Sequence, residues 1–203
     1  MASGRRTSDN LRNSRADGRR QPGAQGVSPL RRSAHERPKD LASLTDRDLR
    51  LGRATWFKNV DATPDFGMVI FKELFRQYPD VESYFLHLRG NAGSIFDSRT
   101  FRSHMTERVV PKLKEVFEAL DKPEHLNEVM TKLGLYHAKL GVSGHLVENM
   151  LSVILDALKS VMHTKMQPDE ETAVRTCLKS AFAIAIDTIN NYEKENKQAA
   201  TDS

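Results

Sequence analysis

Seven histidines are the side chains of this 203-residue chain whose types and spacing could do chemistry. His137 stands in the middle of an apolar stripe, one turn after Leu133 and two after Met130. An imidazole there has two readings: a core residue satisfied by a hydrogen bond, or a metal ligand using a neutral ring nitrogen. His104 follows Phe101 by three residues on another helical segment, so imidazoles from separate helices could face one cavity. His125, His145 and His163 fall near expected helix ends, where exposed capping explains them, and His35 lies in the N-terminal tail. The sequence has no glycine-rich phosphate loop, Gly-x-Ser-x-Gly elbow or His-Glu-x-x-His pair. A lone cysteine, Cys177, excludes a disulfide framework and cysteine-based zinc clusters, and its apolar stripe marks it as inert packing. No catalytic base, nucleophile or substrate pocket can be argued, so the reading is not an enzyme.

The elements that must position these imidazoles are helical. Leu44-Thr45-Asp46 opens a first helix to about Val60, with Thr45 as cap and Asp46 and Asp48 at the positive end of the dipole. Thr63-Pro64-Asp65 begins a second, with Pro64 at an early position where its missing donor is harmless. Met68, Phe71, Leu74 and Phe75 form its stripe, and after Pro79 a short turn leads to Tyr84-Phe85. Gly90, Asn91 and Gly93 mark a loop before a helix from about Asp97 to Leu120, interrupted by Pro111. Leu126, Val129, Met130, Leu133, His137 and Leu140 trace the next stripe, and Gly141 and Gly144 turn the corner. Two long helices close the chain, about His145 to Thr164 and Asp169 to Glu193. No segment alternates as a strand would. The fold class is all-α, with about six main helices and a short third one.

The net charge of +4 is unevenly distributed. Residues 1–40 carry nine arginines and Lys39 against Asp9, Asp17, Glu36 and Asp40, a net of +6, while the rest of the chain sums to −2. With few large apolar groups, residues 1–43 cannot bury enough surface to order themselves and read as a disordered basic tail. Such a tail is a solvated appendage or a weak attractor for an anionic partner. Without interleaved aromatics it lacks stacking platforms, so no specific nucleic acid is expected. Arg5-Arg6-Thr7-Ser8 and Arg31-Arg32-Ser33 would suit a basophilic kinase. Residues 44–193 form the folded domain and 194–203 a flexible C-terminal tail. With no transmembrane run and no secretory signal, a cytoplasmic location is expected; a homodimer is compatible with the sequence.

A set of anchors over 44–193 resembles the globin family, in an intracellular, nematode-like form. It comprises Leu44-Thr45 and Trp56, then Gly67 where globins cross the second helix against the distal one. Pro79 is followed six residues later by Phe85. Then come Phe101-x-x-His104 and Leu133-Gly134-Leu135-Tyr136-His137-x-x-x-Gly141-Val142. The resemblance implies a globin fold packed around haem b (iron protoporphyrin IX), with His137 as proximal iron ligand. The other nitrogen of that ring would donate to a carbonyl one turn back, near Leu133. Phe85 would pack flat on the porphyrin, Val142 would touch its edge and Phe71 would close the distal side. His104 would be the distal residue, donating to bound O2 or serving as a sixth ligand. His87 would reach a haem propionate or be a plain surface histidine.

One position departs from the family. Globins place Val or Ile four residues after the distal histidine; here that residue is Arg108, and Val109 comes one place late. His104 and Val109 can both keep their roles only if one extra residue is accommodated, which predicts a π-type bulge or kink near 105–111. The alternatives make Met105 the distal residue, or bring Arg108 into the pocket. Two function classes remain. One is a haem globin that binds O2 or another diatomic ligand for storage, transport or sensing, with a six-coordinate variant suited to electron transfer, NO or peroxide chemistry. The other is a haemless helical interaction protein with a basic recruiting tail.

Overall fold

The structure, a computed structural model, describes residues 44–201. The basic segment 1–43, with His35 and both kinase-type patterns, lies outside the described residues, as do residues 202 and 203. The described residues form seven α-helices, and none of them is in a strand. No helix among them is long and apolar enough to cross a membrane.

Helix α1, Asp46–Asp61, starts at a capping box: Thr45 accepts the Asp48 N–H at 3.1 Å and donates its own N–H to the Asp48 carboxylate at 3.3 Å. The next helix begins later than expected. Thr63 closes back on α1 through its hydroxyl, 2.8 Å from the Asn59 carbonyl, and its N–H, 3.1 Å from that of Val60. Pro64 is thereby left in the turn, Asp65 becomes the cap residue, and α2 spans Phe66–Gln77. A ten-residue 3-10 run, Pro79–Leu88, follows as the short third helix and takes in the stretch expected as a turn. After a second 3-10 turn, Ile95–Asp97, comes Ser98. Its hydroxyl accepts the Phe101 N–H at 3.2 Å and donates to the Leu88 carbonyl at 2.5 Å, joining the start of α3, Arg99–His104, to the 3-10 run.

The long helix foreseen through Pro111 is built in pieces. A π turn, Met105–Val109, succeeds α3, and α4 continues from Val110 to Ala119. The bulge expected near 105–111 is therefore present. Helix α5 is Pro123–Lys139, and α6, Gly144–Val161, ends before the expected Thr164. The last helix, α7, runs Pro168–Thr201, past the Glu193 limit set from sequence. Nothing between Lys194 and Thr201 is Gly or Pro, and Lys, Glu, Gln and Ala propagate a helix without burial.

Helices α5, α1 and α6 pack most extensively on α7. Trp56 is fully buried, stacked on Phe117 (centroids 4.2 Å, planes 9° apart) and edge-on to Phe66 at 5.6 Å. Cys177 lies in the α1–α7 seam, where burial pushes its thiol pKa up to about 12, so it stays a protonated packing group.

Periodicity did not reveal the clamp made by Arg53. From α1 its Nε donates to the Phe117 carbonyl at 2.7 Å, and its terminal nitrogens to the Glu118 carbonyl at 3.0 Å and to Asp121 at 2.6 and 3.0 Å. One guanidinium thus caps the end of α4 with charge-assisted bonds. It holds the Asp121 pKa down to about 2, below the ordinary value near 4. A depressed carboxylate contributes stability above its unfolded pKa and loses it as pH falls through the folded one. Asp121→Asn is therefore expected to flatten the acid limb of a Tm-against-pH curve between about pH 4 and 2. An acid limb identical to wild type would show that the clamp does not stabilise the fold.

Candidate functional site

His137 lies near the end of α5, half-buried, with Nδ1 2.9 Å from the Leu133 carbonyl oxygen. That oxygen can only accept, so Nδ1 carries a proton, and in the neutral ring the lone pair lies on Nε2. No hydrogen bond from another described residue reaches Nε2. The ring is thereby oriented by its own helix, through the carbonyl one turn back.

Gly141 sets the path of the chain beyond α5. At φ +75° it enters the left-handed region that side chains disfavour. The chain then closes α5 with Gly141 N–H on the Ala138 carbonyl and Val142 N–H on the His137 carbonyl, both at 3.0 Å, which is the Schellman pattern. Val142 is thus held close to His137 by a backbone bond. Leu140 departs from the sequence stripe: it is the residue capping α5 and is 53% exposed.

On the other helix, Met105 is fully buried and turned toward α2. A Cβ on Gly67 would lie 2.8 Å from the Met105 carbonyl oxygen and 3.0 Å from its Cβ, so only glycine allows this crossing. His104 and Val109 are half-buried, and Arg108 is exposed. Burial first, then the neighbouring charges of Arg108 and His87, lower the His104 pKa, which favours a neutral imidazole. His87 itself is exposed on the 3-10 run.

Phe71 is buried, and its ring meets Phe85 edge-on at 5.0 Å and Phe101 at 5.8 Å. Phe75 and Phe96 complete an aromatic cluster that ties the 3-10 run to α2 and α3. Phe85 is only half-buried, which leaves part of its ring for another contact. A cavity of about 250 Å³ between the starts of α1 and α7, lined by Arg47, Leu51, Asp169 and Thr172 among others, includes none of the candidate residues.

The donor set tests what could be held. Among the described residues no three His, Cys, Asp or Glu side chains converge, so a bare metal ion would lack ligands. A macrocycle that brings its own equatorial donors needs only an axial imidazole, and His137 offers one in the required tautomer. The residues fit haem.

A family model for globins matches residues 69–185, from α2 to about the middle of α7. With this match over more than half its length, the chain belongs to the globin family, whose members typically carry haem. No curated protein matches the chain.

Proposed function

We propose that this globin carries haem b on His137 and binds O2, or another diatomic ligand, reversibly. The observation that carries the reading is the His137 Nδ1 bond to the Leu133 carbonyl, which leaves Nε2 as the donor. When bound, haem iron supplies a coordination position open to small ligands. His137 would hold the group and fix its own ring plane. Phe85 and Val142 would pack against it, and Phe71 would help exclude water behind them. His104 would donate its N–H to the ligand. Arg108 stays outside this set, and Met105 serves the α2 crossing.

A neutral imidazole at His104 is equally compatible with a second form of the same function. A neutral imidazole on that side has a lone pair of its own, and a chain that used it as a sixth ligand would suit electron transfer, NO or peroxide chemistry. The visible spectrum of the reduced protein without oxygen separates the two: one broad band for five-coordinate iron, sharp split bands for six-coordinate. Exposure to air and then to vacuum should convert the spectrum and restore it. A spectrum indifferent to oxygen would remove the oxygen-binding reading.

A further inference from the structure

The helix that runs from α3 through the π turn into α4 holds one residue more than an α-helix could place between the same two ends. Its first half is pinned at Met105 by the close approach of Gly67. Its second half is pinned by Leu113, Val116 and Phe117 in the core and by Arg53 at the α4 terminus. Between these ends the Val110 N–H bonds the Met105 carbonyl, a step of five residues instead of four. Burial keeps the same step: Met105 and Val110 are both buried, and His104 and Val109 are both half-buried. Thr106, Glu107 and Arg108 are all exposed, including Arg108 at the four-residue distance from His104. Pro111 comes next, with no N–H to continue the α-helical ladder and a ring that crowds the carbonyl four residues back.

We propose that the π turn is a register device in which Gly67 and Pro111 act as positioning residues. By absorbing one surplus residue it aligns Val109, instead of Arg108, with the face that carries His104, and keeps the guanidinium at the surface. The register does not depend on haem; what the aligned face does rests on the proposed function. The surplus is removable. Deleting exposed Thr106 in a Pro111→Ala background restores a four-residue spacing between His104 and Val109, and the helix becomes a continuous α-helix with both pinned ends unmoved.

The test compares full-length chains, haem-free and haem-loaded. Without haem, the Thr106 deletion in Pro111→Ala is expected to melt within about 4 °C of its Pro111→Ala parent. The same cut at exposed Arg102, outside the turn, twists Phe101 off the core and should lower Tm by roughly 10 °C or more. With haem, the Thr106 deletion should keep the wild-type ferrous and oxygenated spectra, which a purely structural repair would not guarantee. A Thr106 deletion that fails to fold, melts as early as the Arg102 cut, or takes on the spectra of a chain lacking His104 overturns the proposal. If the wild-type chain takes up no haem, the proposed function fails, while the haem-free Tm comparison still decides the π turn.

Discussion

Substituting alanine for His137 is expected to abolish tight haem binding, lowering affinity by about 100-fold or more. Even partners that only orient a metal ligand are worth about 10- to 100-fold, and here the proposed ligand itself is removed. Nδ1 of His137 is already spent on Leu133, so Nε2 is the donor available on this part of α5. The ring is half-buried and bonds only within its own helix turn, so the haem-free variant should melt close to wild type. Its helix end survives because the Schellman closure uses the backbone of residue 137, not the ring. Free imidazole added in excess should restore the spectrum by filling the space left by the side chain. A His137→Ala chain with wild-type haem spectra and affinity would remove the proximal assignment.

His104→Leu is the second large effect. A hydrogen bond to a ligand atom with partial negative charge is worth about 1.5–3 kcal/mol, so its loss should speed O2 release by about 10- to 100-fold. Carbon monoxide, which gathers less negative charge on its outer atom, should respond much less. His104→Gln keeps a donor and should recover a large part of the difference, which separates hydrogen bonding from altered shape. Stopped-flow release rates for the three chains supply the comparison. Equal O2 release from wild type and His104→Leu would mean that His104 does not face the ligand.

The backbone bond at His137 was legible because helix periodicity and backbone hydrogen bonding are local. A histidine four residues after Leu133 in one helix can reach its carbonyl, and it does. The π turn was legible for a different reason: two sequence registers disagreed by one residue between His104 and Val109, and only a wider turn reconciles them. Arg53 was opaque because its partners, Phe117, Glu118 and Asp121, lie more than sixty positions away in the chain. No short-range pattern announces such a contact. Pro64 was misplaced because Thr63 hydrogen-bonds back to α1 and delays the next helix. The run Pro79–Leu88 was legible as a short third helix but not in its length, because 3-10 segments carry little periodic signal; its place is fixed by Ser98 and by the rings around Phe85. Leu140 was assigned to a stripe whose helix ends one residue earlier, at Lys139, just before the Gly141 closure. Competition between registers is thus visible in sequence, whereas long-range capping is not.

If one imidazole, His137, gives this chain a single haem site, haem uptake must be stoichiometric and must depend on that ring. Titrating haemin into the haem-free protein while monitoring the Soret band decides both at once. A linear rise that breaks sharply at one equivalent is the predicted result, and the break should be absent in His137→Ala. A band that climbs without a break, equally in both chains, would mean that His137 holds no haem.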